Sequence, residues 1–485
     1  MIRRLLIANR GEIALRIIHA CRELEIESVA VYSQVDAVAP HVLAADRAVH
    51  IGPAPASESY LAIPRIIDAA RTSGADAVHP GYGFLSENAS FAAACADAGL
   101  VFIGPPADVI ARMGSKIDAR RLVAGAGIAV VPGETPADQS DAGLRATVER
   151  VGLPAVIKAS AGGGGKGMRE MRAADEIDGS VQAARREAVA AFGDGTLYVE
   201  RLIEAPRHVE VQILADSHGS AVHLFERECS VQRRHQKVIE ESPAPALTAA
   251  LRARMTAAAV IVAQAANYRN AGTIEFLVSD NEFYFLEMNT RLQVEHPITE
   301  QVTGVDLVRA QLLVASGEPL PWPQERIVQR GHAIEARIYA EDPEHDFLPQ
   351  AGPVLLYREP RRPGIRIDSG IVERGNVSVH YDPLLAKVIS TAETRGTAIA
   401  RLSAALGDFP ILGVRTNIPF LLRVLAQPRF ASGTVDTRFL EREGASLAHV
   451  NDDAVPEHVR AAVMAHVIEQ RIAELRTDRW DPWCP

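Results

Sequence analysis

The run from 272 to 297, GTIEFLVSDNEFYFLEMNTRLQVEHP, restricts what this chain can fold into more than any other stretch. Two apolar, β-favouring segments, 273–278 and 282–288, flank Ser279-Asp280-Asn281, whose residue types form turns. The pattern predicts an antiparallel hairpin. Glu275 and Glu287 then fall roughly opposite each other on one face, and Asn289 points the same way. Facing carboxylates repel, so two of them beside an amide require a cation between them. Oxygen-only donors suit Mg²⁺ or Mn²⁺, and Mg²⁺ typically takes one or two carboxylates together with nucleotide phosphates. Residues 290–295 alternate in character. If they are extended, Arg291, Gln293 and Glu295 share one face while Leu292 and Val294 anchor the other. That is a cation to hold an anion, an amide to orient it and a carboxylate to act as base.

At 485 residues the chain exceeds what one core supports, so two or three subdomains are expected. The hydrophobic content of 47% is ordinary for a globular protein, and the longest apolar run, 257–263, is far too short for a membrane span. The start leads straight into a strand-like run without signal-peptide architecture. Cys21, Cys95, Cys229 and Cys484 lack metal-like spacing and read as reduced thiols. A cytoplasmic protein is expected. The net charge of −10 argues against nucleic acid as a partner.

Residues 5–12 read as a strand and a turn, followed by a helix with Ile13, Ile17 and Cys21 on its apolar face. A second strand at 29–32 makes the opening βαβ with a parallel sheet. No Gly-x-Gly-x-x-Gly follows the first strand, which excludes a dinucleotide site there. After a strand at 77–78, His79-Pro80-Gly81-Tyr82-Gly83 is a loop able to press backbone against a ligand. A lid is expected over about 130–203. Within it a strand carrying Lys158 runs into Ala161-Gly162-Gly163-Gly164-Gly165-Lys166-Gly167. Glycines so dense fit a flap whose bare N–H groups close over triphosphate, with Gly164 and Gly165 as contacts. It is not a Walker A loop, because Gly167 follows Lys166. The polar run 226–241 places basic residues where they can face the hairpin carboxylates and bind anions such as phosphate. The strand 331–342 carries Arg337 on the side opposite Ile334, Ala336 and Ile338.

Glu287-Met288-Asn289-Thr290-Arg291-Leu292-Gln293-Val294-Glu295-His296 resembles the metal and bicarbonate segment of the ATP-grasp carboxylases, specifically the biotin carboxylases. The resemblance runs from about Ile2 to about Leu440. It implies an α/β and α+β ATP-grasp fold. A Rossmann-like domain would span 1–113 and the ATP-grasp region with its lid 114–203. The C-terminal ATP-grasp and carboxylase region would span 204–445, and a helical tail 446–485. It further implies nucleotide contacts at Lys116, Lys158, Glu200, Arg201, Ile203, His208, Gln232 and His235, besides Glu275 and Glu287. Bicarbonate would lie at Lys237, Arg291, Gln293, Val294 and Glu295, and biotin at Tyr82 and Arg337. A metal would sit on Glu275, Glu287 and Asn289.

The implied reaction carboxylates biotin with ATP and bicarbonate through carboxyphosphate. It is the first half-reaction of an acetyl-, propionyl- or methylcrotonyl-type carboxylase. Glu295 would be the base, and Arg337 would stabilise charge on biotin. Biotin would be a substrate on a carrier protein or domain, not a group on this chain, because none of the seven methionines precedes a lysine. A carboxyltransferase subunit would be the other partner, within an oligomeric holoenzyme. The Asp382-Pro383-Leu384-Leu385-Ala386-Lys387 wording resembles acyl-CoA carboxylase chains. His19 and Glu23 with Pro363 and Arg366, lacking an aromatic, argue against a two-fold dimer of the isolated chain. Residues 455–476 read as one amphipathic helix with an apolar stripe that should dock on something.

Overall fold

The computed structural model describes residues 2–160, 167–449, 464–465 and 467–472. The first unit contains β1 (Arg4–Ile7), α1 (Gly11–Glu23), β2 (Glu27–Ser33), β3 (Arg47–Gly52), β4 (Ala77–His79) and β5 (Val101–Phe102). Its strands pair in parallel in the order β3-β2-β1-β4-β5. Leu5 and Ile7 pack with Ile13 and Ile17 of α1, whereas Leu6 packs with Ile66 on the other face. Helices on both sides explain why β1 reads as a continuous apolar run instead of alternating.

A second, smaller sheet of four strands follows, ordered β6 (Gly133–Glu134), β9 (Leu197–Arg201), β7 (Ala155–Ala159), β8 (Arg169–Met171). Helices Asp141–Val151 and Ile177–Phe192 cover it with a core of their own, including Leu144, Val148, Val181 and Ala184. This is the segment expected to be a lid. Gly164 and Gly165 lie outside the described residues.

The main sheet is antiparallel and has eight strands. In spatial order it runs through six strands introduced here in chain order: β10 (Arg207–Ala215), β11 (Ala221–Arg233), β12 (Gln236–Ser242), β13 (Asn270–Ser279), β14 (Glu282–Asn289) and β15 (His332–Tyr339). The arrangement is β14-β13-β10-β11-β12-β15, then strands Leu384–Ala392 and Ile365–Ser369.

The hairpin of β13 and β14 forms as expected, with Asp280 and Asn281 both at positive φ in its two-residue turn. Its register carries a detail that alternation alone does not contain. From the turn, Phe276 pairs with Phe285, so an uninterrupted ladder would set Glu275 against Leu286 and turn Glu287 to the opposite face. A bulge between Glu275 and Phe276 moves the pairing to Glu275–Glu287 and puts both carboxylates on one side.

The expectation that 290–295 is extended does not hold. The strand ends at Asn289, and Glu295 is the N-cap of helix His296–Thr303, with φ −82° and ψ 12°. Pro297, in the first turn, has its φ preset for the helix and needs no N–H partner there, which favours starting the helix at this point. Ile298 and Val302 seat that helix against Ala333 and Ile389 of the main sheet.

In the tail, residues 464–465 and 467–472 are helical, and Met464, Val467, Ile468 and Ile472 are exposed. The remainder of the predicted 455–476 helix lies outside the described residues. Among the described residues no helix is long and apolar enough to cross a membrane.

Candidate active site

One row of side chains crosses four adjacent strands. Glu287 on β14 pairs with Glu275 on β13, Glu275 with Glu210 on β10, and Glu210 with Arg227 on β11. Three carboxylates abreast repel one another, and buried charges persist only when paired. Arg227, fully buried, donates Nε to Glu210 at 2.6 Å and Nη1 to Gln212 and Thr299.

The second cation is Lys237, next to a strained turn in which Arg234 and His235 both have positive φ. Its ammonium lies 2.5 Å from Glu210, 2.9 Å from Glu275 and 2.6 Å from Glu295. Burial works against its charge, but these three carboxylates raise its pKa well above the ordinary lysine range. Arg337 is the third. Its Nε donates to Glu240 at 2.6 Å and Nη2 to Glu295 at 2.9 Å.

Glu295 therefore sits fully buried between an ammonium and a guanidinium at a helix N-terminus. Burial alone would raise its pKa. Lys237, then Arg337 and Arg227, hold it well below the usual carboxylate range. It is therefore held as a carboxylate at neutral pH.

Above this cluster opens a cavity of about 530 Å³, within the size range of small-molecule sites. Most of the sequence-predicted residues meet on its wall. From the lid side come Lys158, Glu200, Arg201 and Ile203, from β10 His208, and from the β11–β12 hairpin Gln232, His235 and Lys237. Lys116, Glu275, Glu287 and Asn289 line another side, and Arg291, Gln293, Val294 and Arg337 complete it. Glu295 is just beneath, reached through Lys237 and Arg337. Lys116 touches Glu287 at 2.7 Å and Lys158 touches Glu200 at 2.5 Å. His208 Nε2 is 3.0 Å from Glu275 Oε2. Burial lowers its pKa, but Glu275 outweighs this and the net shift is upward.

The donor sets fit the ligands the sequence suggests. Gln293 is oriented by Arg291 Nη1, which donates to its Oε1 at 2.9 Å, and its buried Nε2 has no partner, leaving a donor for an anion. Glu275, Glu287 and Asn289 offer oxygens that would suit a hard divalent cation, and in this structure Lys237 and His208 pair with Glu275 and Lys116 with Glu287. His208, Glu210 and Glu275 also converge within 4.8 Å, but the Lys237 ammonium contacts two of them and neutralises that group.

Tyr82 is placed differently from the other predicted residues. It is not on the cavity wall, and its hydroxyl donates to the buried carboxylate of Glu12. Sequence reasoning assigned no role to Glu87, whose carboxylate accepts from Arg291 Nε at 2.9 Å and from Thr290 N at 3.0 Å. Nor did it assign roles to Glu210, Arg227 or Glu240. The single polar residue in Val209-Glu210-Val211, on a strand buried on both faces, was the available signal.

Three family models together match nearly the whole chain. They are "Biotin carboxylase, N-terminal domain" over 1–110, "Carbamoyl-phosphate synthase L chain, ATP binding domain" over 115–322 and "Biotin carboxylase C-terminal domain" over 335–442. A biotin carboxylase of Halalkalibacterium halodurans is 50% identical over 441 residues, covering 91% of this chain and 97% of that protein. The chain belongs to the biotin carboxylase family.

Its fold is the ATP-grasp fold of that family. The mitochondrial methylcrotonoyl-CoA carboxylase subunit alpha of Rattus norvegicus is 48% identical over 97% of this chain, which spans 66% of that subunit's length. Among solved structures, the biotin carboxylase domain of the Hydrogenobacter thermophilus 2-oxoglutarate carboxylase, in complex with MgADP, ADP and bicarbonate, superposes with a TM-score of 0.89. It is 41% identical and covers 93% of this chain and 100% of that one. The Campylobacter jejuni biotin carboxylase–β,γ-ATP complex also gives 0.89, at 43% identity, over 91% of this chain and 99% of that one. By its ATP-grasp domain and its biotin carboxylase relatives, the chain is of the ATP-grasp ligase type.

Proposed function

We infer that this chain carboxylates biotin presented by a separate carrier protein or domain, using ATP and bicarbonate. The observation that carries this reading is Glu295, a buried carboxylate kept ionised by Lys237 and Arg337 beneath a cavity lined by phosphate-type cations. Lys116 and Lys158 would hold the triphosphate, with Gly164 and Gly165, which lie outside the described residues, as further nucleotide-binding residues. Glu200, Arg201, Ile203, His208, Gln232 and His235 surround the nucleotide. When bound, Mg²⁺ or Mn²⁺ on Glu275, Glu287 and Asn289 neutralises phosphate charge.

Lys237, Arg291, the free amide donor of Gln293 and the backbone at Val294 hold bicarbonate. Glu295 removes its hydroxyl proton as the bicarbonate oxygen bonds to the γ-phosphorus and the β–γ bridge to ADP breaks. Carboxyphosphate then yields CO₂ and phosphate, and that phosphate takes the proton from the biotin nitrogen. Arg337 stabilises the negative charge left on biotin. Tyr82, behind the cavity wall, is the residue that the family resemblance assigns to biotin.

The chain is one component of a biotin-dependent acyl-CoA carboxylase, of which methylcrotonoyl-CoA carboxylase is the type its relatives suggest. Its partners are a biotin carrier and a carboxyltransferase, in an oligomeric holoenzyme. Buried, unpaired Cys21, Cys95 and Cys229 agree with a reducing, cytoplasmic setting. ADP release tests the reading. It should require bicarbonate and accelerate on adding free biotin; ATP cleavage indifferent to both would contradict it.

A further inference from the structure

Lys387 is fully buried, an unusual position for an ammonium. It projects from strand Leu384–Ala392 to a point where three parts of the chain meet. Nζ donates to the carbonyl oxygen of Val294 at 2.9 Å. It also lies 3.1 Å from Glu12 Oε1 and 3.8 Å from Asp368 Oδ2. Glu12 Oε1 in turn accepts the Tyr82 hydroxyl, and the Tyr82 ring centroid is 6.0 Å from the ammonium.

The peptide unit of that carbonyl joins Val294 to Glu295, so its plane fixes the backbone from which the base projects and adjoins, across the Val294 Cα, the N–H expected to face bicarbonate. Peptide planarity means that fixing the oxygen also fixes the Glu295 N–H. This stretch is a turn ahead of the helix and is not held in a ladder. The α1 end of the link is equally confined: a Cβ added to Gly370 would come 2.7 Å from Glu12 N.

We propose that Lys387 is a positioning residue that holds the Val294–Glu295 peptide in register with the Glu12–Tyr82 pair, so that the bicarbonate and biotin sites are set by one buried ammonium. This rests on the function inferred above. It also accounts for Tyr82 being behind the cavity wall instead of on it. The triphosphate cations Lys116 and Lys158 make no contact with this group, so ATP affinity should be independent of it.

The test measures Michaelis constants for ATP and bicarbonate, together with folding, in Lys387→Met and Lys387→Gln. Losing a charged hydrogen bond predicts a rise in the bicarbonate KM of about tenfold in Lys387→Met, with the ATP KM within about twofold of wild type. Lys387→Gln keeps one donor and should show a smaller rise. If Lys387→Met does not fold, Lys387→Gln carries the test alone. An unchanged bicarbonate KM, or an equal rise for both substrates, overturns the proposal. Wild-type protein whose ADP release ignores bicarbonate refutes the function itself, a result visible before any variant is made.

Discussion

Glu295→Gln isolates proton acceptance from everything else that side chain does. The amide keeps the volume and can still accept hydrogen bonds, but it cannot take the bicarbonate proton. Lys237 retains Glu210 at 2.5 Å and Glu275 at 2.9 Å, and Arg337 retains Glu240 at 2.6 Å. Neither cation is therefore left unpaired. The stability cost should stay at about 1–3 kcal/mol, the range for one weakened charged hydrogen-bond set, below the cost of stripping a buried pair outright. The protein should fold and bind ATP, since none of the nucleotide-facing cations touches Glu295. Bicarbonate-dependent ADP release should fall by about 10²–10⁴-fold, the usual contribution of a positioned base. Turnover is read with a coupled ADP assay at saturating ATP and bicarbonate, with nucleotide binding measured separately. Near wild-type turnover in a folded, ATP-binding variant would remove Glu295 from the chemistry and refute the reasoning.

Other variants probe other parts of the account. Arg337→Lys keeps a charge but loses the fork that spans Glu240 and Glu295; biotin-stimulated turnover should fall by about 10²-fold while the ATP KM stays put, and equal loss with and without biotin would argue against a role toward biotin. Glu275→Gln should raise the Mg²⁺ concentration for half-maximal activity at least about tenfold, and an unaltered Mg²⁺ titration would dismiss it as a ligand. Asp36 tests electrostatics away from the site. Burial raises its pKa, but Arg10, at 2.7 Å from both oxygens, and Tyr60 bring it below the ordinary value. Its ionised form thus stabilises the fold above the unfolded pKa of about 3.9, and that contribution is lost as pH falls through the lower folded value. Asp36→Asn should cost about 3 kcal/mol at pH 7, and the Tm gap to wild type should narrow below about pH 4; a constant gap from pH 7 to pH 3 would contradict the sign.

Much of the site was legible because strand periodicity exposes which residues share a face. The hairpin of β13 and β14 shows the limit of that reading. Glu275 and Glu287 do end up abreast, but only through a bulge, which depends on local pairing and leaves no periodic trace. The same limit applies at Glu295. Alternation suggested a strand, whereas Pro297 and the packing of Ile298 and Val302 make it a helix cap. Its chemistry survives because Lys237 and Arg337 reach it from other strands. The groups that sequence reasoning passed over, Glu87, Glu210, Arg227 and Glu240, acquire meaning only from neighbours far along the chain. Arg227 reads as one of several basic residues in a dense polar run with nothing to single it out, yet it is among the largest fully buried side chains. Arg366 likewise turns inward onto Glu300 and Asp368.

The most direct measurement follows isotopically labelled bicarbonate into free biotin, incubated with the chain, ATP and Mg²⁺. The account predicts labelled carboxybiotin that forms only when ATP and the metal are both present and is lost in Glu295→Gln. ATP consumed in a bicarbonate-dependent manner, with no label transferred to free biotin or to any biotinylated carrier, would contradict it.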